Sequence, residues 1–156
     1  MRGKLAFGMM LAGLVVVASV AIGGVSASGG TSIHVLVHGN TTKGAFFDKD
    51  GNGPTLGDRV SSRGPLVDPT TGEHVGSVYG DCWVARQQIR GQGFWDCTYL
   101  LKLAGGTITL QGLDPHGSGS SPFAVTGGTG VYKDARGDAV FTDTDLDTDM
   151  QISLAD

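Results

Sequence analysis

Val75-Gly76-Ser77-Val78-Tyr79-Gly80-Asp81-Cys82-Trp83-Val84-Ala85-Arg86 and Phe94-Trp95-Asp96-Cys97-Thr98-Tyr99-Leu100-Leu101-Lys102-Leu103 flank a polar, glycine-containing turn from Gln87 to Gly93. Both arms carry aromatic and β-branched residues and are bounded by turn formers, which is the signature of a β-hairpin. Centred between Ile89 and Arg90, the hairpin sets Cys82 directly opposite Cys97 and Val84 opposite Trp95. These are the only two cysteines. Their oxidation would close a loop that contributes about 3 kcal/mol in the chain-entropy account; the alternative is two reduced, buried, small apolar side chains. Side chains alternate along a strand, so if Cys82 points inward, Trp95 and Tyr99 do too.

Composition extends this reading to the whole chain. Of 156 residues 27 are Gly, and fourteen of the fifteen acids are Asp, with Glu73 the only Glu. Gly and Asp are poor in helix interiors, which argues against a helical bundle and against a doubly wound α/β domain. The length allows one domain. Eleven basic residues against fifteen acidic ones leave no electrostatic footprint for nucleic acid. Strand candidates are Ile33 to His38, a weak one from Asp58 to Val67 broken at Gly64-Pro65, the two hairpin arms, Thr107 to Gln111, Phe123 to Val125, Asp138 to Thr142 and Leu146 to Leu154. Gly39 to Leu56 reads as loop, and Asp68-Pro69-Thr70-Thr71-Gly72 as a turn. About eight antiparallel strands imply an all-β sandwich or closed barrel, and an eight-stranded barrel can enclose one small ligand.

The first residues stand apart from that domain. Arg2 and Lys4 precede an apolar run from Leu5 to Ile22, and Val25-Ser26-Ala27 offers small residues for a signal peptidase. Residues 1–27 are therefore expected to be a secretion signal, leaving 28–156 as the single mature domain with a net charge of about −6. An uncleaved anchor is the alternative. Export agrees with a disulfide.

The order of short motifs carries a family resemblance. Leu56-Gly57-Asp58, Leu66-Val67-Asp68, Val75-Gly76 and Gly80-Asp81-Cys82 come first. Gly106-Thr107-Ile108-Thr109-Leu110-Gln111-Gly112 and the run from Ala124 to Gly137 follow, the latter including Gly127-Gly128-Thr129-Gly130 and Ala135-Arg136-Gly137. Over Ile33 to Thr142 this resembles the allene oxide cyclase and dirigent superfamily, which implies an eight-stranded antiparallel β-barrel. The resemblance implies a cofactor-free cyclase or dirigent activity, yet the cyclase's polar positions are occupied by Val37, Gly64 and Pro122, and only Cys82 matches a pocket residue. On the dirigent side His38 matches the first-strand His, Gly39 replaces the Asp that follows it, and Lys133 and Arg136 keep two basic positions.

The candidate catalytic residues are accordingly Arg136, Lys133 and His38, with Trp95, Tyr99, His34 and Tyr132 as candidate ligand-binding residues. Arg136 would grip a carboxylate or phenolate, or else form a corner salt bridge to Asp134 or Asp138. His34 and His38 lie on one strand face about 13 Å apart, too far to share a metal. Asp48-Lys49-Asp50-Gly51-Asn52-Gly53 matches the first half of a calcium loop, but Arg59 holds the twelfth position, so an Asx-rich turn is the simpler reading. Asp143, Asp145, Asp147 and Asp149 alternate along the last strand as a solvated outer face. No metal or cofactor is expected. The sequence implies a secreted barrel that binds a small apolar molecule, with or without turnover, with no nucleic-acid or membrane partner after signal cleavage; a homo-oligomer is compatible with it.

Overall fold

The computed structural model describes residues 30–89, 92–115 and 119–155. The expected signal segment, the tip of the central hairpin and His116 lie outside the described residues. Nine strands follow in chain order: β1 (Ser32–His38), β2 (Lys43–Phe47), β3 (Arg59–Val67), β4 (His74–Ile89), β5 (Gln92–Leu103), β6 (Gly106–Pro115), β7 (Ser120–Gly128), β8 (Gly137–Asp143) and β9 (Asp147–Leu154). All pairings are antiparallel. From β3 each strand pairs with the next as far as β9, β9 pairs with β1, and Leu36 opposite Val67 joins β1 back to β3. Eight strands thus form a closed barrel, which leaves no long free sheet edge.

The ninth strand, β2, lies where the sequence predicts loop. After β1 the chain kinks through a 3₁₀ turn at Gly39–Thr41 and takes up the other half of the β3 edge, from Lys43 opposite Arg63 to Phe47 opposite Arg59. Gly64-Pro65 does not break β3 as expected. Pro65 sits between the stretch of β3 paired with β2 and the residue paired with β1, so its missing N–H costs no ladder bond on that edge. The central hairpin has the predicted register, with Cys82 opposite Cys97 and Val84 opposite Trp95, and the disulfide is formed.

Alternation selects the core. Val35 and Val37 of β1, Leu66 of β3, Cys97 and Leu101 of β5, Ile108 and Leu110 of β6, and Met150 and Ile152 of β9 all point inward and are buried. At one end the β7–β8 corner folds over the barrel. Gly130 has φ 62° there, and a Cβ would collide with the Gly105 carbonyl, so glycine is required. Tyr132 packs against the core from this corner, and its hydroxyl donates to the Ala104 carbonyl at 3.5 Å. The opposite end, where β1, β4, β6 and β8 finish, carries the half-buried Asp114 and the exposed Asp143.

Candidate functional site

Tyr99 is the centre of the interior. It shares the inward face of β5 with Cys97 and Leu101, both without exposed surface. Its ring meets Phe123 edge-on, with centroids 5.3 Å apart and planes at 90°, and Phe141 at 5.0 Å. Phe123 and Phe141 are themselves 4.5 Å apart. The Tyr99 oxygen lies 3.6 Å from Cys82 Sγ, which is bridged to Cys97 and can only accept. Directly across on β4 is Gly80, which leaves the ring its space. Burial pushes the Tyr99 phenol well above its ordinary value, and the charges of Asp114 and Asp143 add to the shift. The side chain is therefore a neutral hydrogen-bond donor at any physiological pH.

The two carboxylates come from neighbouring parts of the wall. Asp114 has the inward parity of Ile108 and Leu110 on β6, stands opposite Trp95, and accepts from the buried Ser121 hydroxyl at 2.5 Å. Asp143 has the parity of Ala139 and Phe141 but is exposed at the end of β8, where it accepts from Thr148 Oγ1 at 2.7 Å. Trp95 completes this half of the interior and meets Phe46 of β2 edge-on at 6.3 Å. Phe46 is partly exposed and forms a rim. Together these side chains set one neutral phenol against an aromatic wall, with the half-buried Asp114 and the exposed Asp143 at the mouth, each held by a hydroxyl. Such a set can orient an apolar molecule through few polar contacts.

The predicted site residues are divided by this geometry. Trp95 and Tyr99 face inward and pack against the core. Tyr132 packs against it too, but from the far corner. His34, expected among the ligand-binding residues, lies on the outer face, because Val35 and Val37 take the inward positions of β1; its Nε2 is 2.6 Å from Asp149 Oδ2. His38 is likewise outside, with Nδ1 2.9 Å from Asp147 Oδ1. Of the four acids expected along the outer face of the last strand, Asp147 and Asp149 lie there, each against a histidine, whereas Asp143 ends β8 and Asp145 lies in the bend before β9. Lys133 and Arg136 stand at the β7–β8 corner, away from Asp114 and Asp143. Lys133 pairs loosely with Asp134 at 3.6 Å, and Arg136 Nη1 donates to the Ala135 carbonyl at 2.7 Å rather than bridging to Asp134 or Asp138.

The Asp48 loop is the Asx-type turn. Its carboxylate accepts from the backbone N–H groups of Asp50, Gly51, Asn52 and Gly53, which hold it below the ordinary carboxylate range. Asp58, with no exposed surface, fixes the same loop by accepting from Lys49 N, Thr55 N and Thr55 Oγ1. Among the described residues no group of three or more His, Cys, Asp or Glu side chains is placed to hold a metal ion.

Sequence reasoning missed Asp114, Asp143, Phe46, Phe123 and Phe141. For Asp114 the signal was available. Ile108, Leu110, Gly112 and Asp114 alternate, so one buried residue fixes the inward face of the rest.

Comparison with known proteins agrees with this architecture. The sequence matches the allene oxide cyclase barrel-like domain over residues 34–154. The chain belongs to that family. No curated protein matches it significantly. Among solved structures, a pyocyanin demethylase superposes with TM-score 0.70 at 22% identity, covering 80% of this chain and 100% of that one. A pterocarpan synthase dirigent protein gives 0.64 at 19% identity, covering 80% and 94%. A Diels–Alderase from Streptomyces koyangensis gives 0.61 at 16%, covering 80% and 64%. At these identities the allene oxide cyclase-like barrel shares its fold with all three.

Proposed function

We propose that this protein is a secreted barrel that encloses a small, largely apolar molecule and steers its cyclisation or coupling without a cofactor. The observation that carries the reading is the un-ionised Tyr99 hydroxyl against the rings of Phe123 and Phe141, within reach of the charges of Asp114 and Asp143 at the barrel mouth. A neutral phenol donates a hydrogen bond to an oxygen on which negative charge develops. A carboxylate held by Ser121 or Thr148 accepts a proton from the same molecule or orients its hydroxyl. The walls exclude water and fix one conformation, which supplies much of the acceleration in ring closure. The similar folds of a dirigent protein and a Diels–Alderase support this class of chemistry. The apolar leader and the Cys82–Cys97 disulfide support export, and no helix among the described residues is long and apolar enough to cross a membrane. A binding barrel without turnover is the second reading, favoured by the mutual packing of Tyr99, Phe123 and Phe141.

Native mass spectrometry without reductant, on protein recovered from a secreting host, tests both. The expected species begins near residue 28, lacks the two hydrogens lost to the disulfide and carries a reproducible small-molecule adduct. Trp95→Ala should lose the adduct and Arg136→Ala should keep it. Once the adduct names the molecule, Tyr99→Phe and Asp114→Asn should slow its conversion without releasing it. A bare polypeptide mass would refute an occupied interior, and an adduct that survives Trp95→Ala would place the ligand elsewhere.

A further inference from the structure

The outer face of the barrel carries a concavity that does not involve the interior residues. Lys43 of β2 is directly opposite Arg63 of β3, and Arg63 is opposite Tyr79 of β4, which is opposite Leu100 of β5. This row runs along a groove of about 500 Å³ that continues past the same Lys43, Arg63 and Tyr79 into a second hollow of about 310 Å³. Like charges directly opposite in an antiparallel pair repel. Among the described residues no acid pairs with either, and the carboxylate in the groove, Asp81, is bound to Arg59 Nε at 2.5 Å. The pair stands uncompensated although the sequence has an excess of acids, fifteen against eleven bases.

We infer that this groove binds an acidic oligosaccharide. Lys43 and Arg63 supply paired cations for a carboxylate or sulfate ester, the guanidinium offering its two-pronged fork. Tyr79, 45% exposed, presents a ring against which a sugar ring can stack. Ser61, Ser77 and Thr98 line the two hollows with hydroxyls suited to a polyhydroxylated chain. The groove runs on both sides of the cation pair, which accommodates a linear polymer better than a compact apolar molecule. Uronate and sulfate ester share this chemistry, and the binding assay distinguishes them.

The test is calorimetric titration of the mature protein with short oligogalacturonates, with heparin-derived oligosaccharides and with neutral maltooligosaccharides in physiological salt, where long-range attraction is screened. At least one acidic series should bind at one chain per protein and the neutral series should not. Arg63→Gln and Lys43→Gln should each weaken binding about tenfold or more, the loss expected for a charge-assisted contact. Lys43 is on the exposed edge strand, so its variant remains informative if Arg63→Gln fails to fold. Tyr79→Leu should also weaken binding, which bare ion exchange would not do. The inference is overturned if neither acidic series binds, if binding ignores both charge-removing variants, or if Tyr79→Leu leaves it unchanged. It is equally overturned if Arg63→Gln abolishes self-association of the protein with no effect on sugar binding, since the groove would then be a subunit contact.

Discussion

Gly80→Ala tests whether the space at Gly80 is what holds Tyr99 in the interior. Gly80 has no left-handed φ, so its backbone would accept alanine; what forbids a Cβ is its neighbours. The new atom would lie 2.6 Å from Tyr99 Cε1, 2.9 Å from Cδ1 and 2.7 Å from Ser62 Oγ. The serine hydroxyl can rotate away. The tyrosine ring cannot do so freely, because Phe123 and Phe141 press on it from the other side. Overpacking of this kind costs about 1–3 kcal/mol, partly offset by the lower chain entropy of alanine, about 0.5–1 kcal/mol. A net loss of about 1–2 kcal/mol should lower the melting temperature by roughly 4–8 °C for a domain of this size. The decisive comparison repeats the substitution in a Tyr99→Val background, where both clashing ring atoms are gone. There Gly80→Ala should be neutral or slightly stabilising in urea denaturation, a coupling of about 2 kcal/mol between residues in contact. Equal losses in the two backgrounds would refute the steric account of Tyr99's position.

Other consequences follow from the same interior and its supporting loop. Reduction of Cys82–Cys97 should remove about 3 kcal/mol; dithiothreitol should therefore lower the melting temperature of the wild type and leave the Cys82→Ser/Cys97→Ser protein unchanged. The raised Tyr99 phenol favours the folded state while it stays protonated, so its contribution is present below pH 10.0 and is lost as pH climbs above that toward the folded value. Thermal melts across this range should fall more steeply for the wild type than for Tyr99→Phe; parallel declines would refute the shift. The Asp58 carboxyl is held below its ordinary 3.8, first by the Lys49 and Thr55 backbone N–H groups, so its contribution is present above that pH and lost as acid protonates it. Hydrogen exchange at Lys49 and Thr55 should accelerate below pH 3.8 in the wild type, relative to the rest of the chain, and show no such acid step in Asp58→Asn.

What was legible in the sequence is what short-range alternation encodes. The hairpin register at Cys82 and Cys97 needed only one turn and a period of two, and both are local. The strand β2 was illegible for the opposite reason. Lys43-Gly44-Ala45-Phe46-Phe47 has no pattern of its own, its residues are all exposed, and it is a strand only because β3 offers an edge that β1 leaves uncovered. Gly64-Pro65 misled in the same way, since a proline breaks a strand only where a ladder bond is due.

The site is a harder case, because no single strand contains it. Tyr99, Asp114 and Asp143 come from β5, β6 and β8, and they converge because every strand obeys the same inward parity while the barrel closes. The sequence resemblance instead drew attention to His38, Lys133 and Arg136, whose motif positions are conspicuous as text. Physical chemistry explains why conspicuous and interior differ here. The Gly127-Gly128-Thr129-Gly130 corner is striking because its backbone geometry admits little but glycine, as φ 153° at Gly127 and 62° at Gly130 record, and charged residues beside a corner are set out in solvent by that geometry. An aspartate on a face otherwise filled by Ile108 and Leu110 is inconspicuous as text but costly in place, since burying a carboxyl needs a partner to hold it. Ser121 supplies that partner for the half-buried Asp114, whereas Asp143, held by Thr148, is exposed at the end of β8. A half-buried acid with its own hydroxyl, on a wall otherwise given to packing, is the group the proposed function would use, and it directs the test to the interior rather than to the corner.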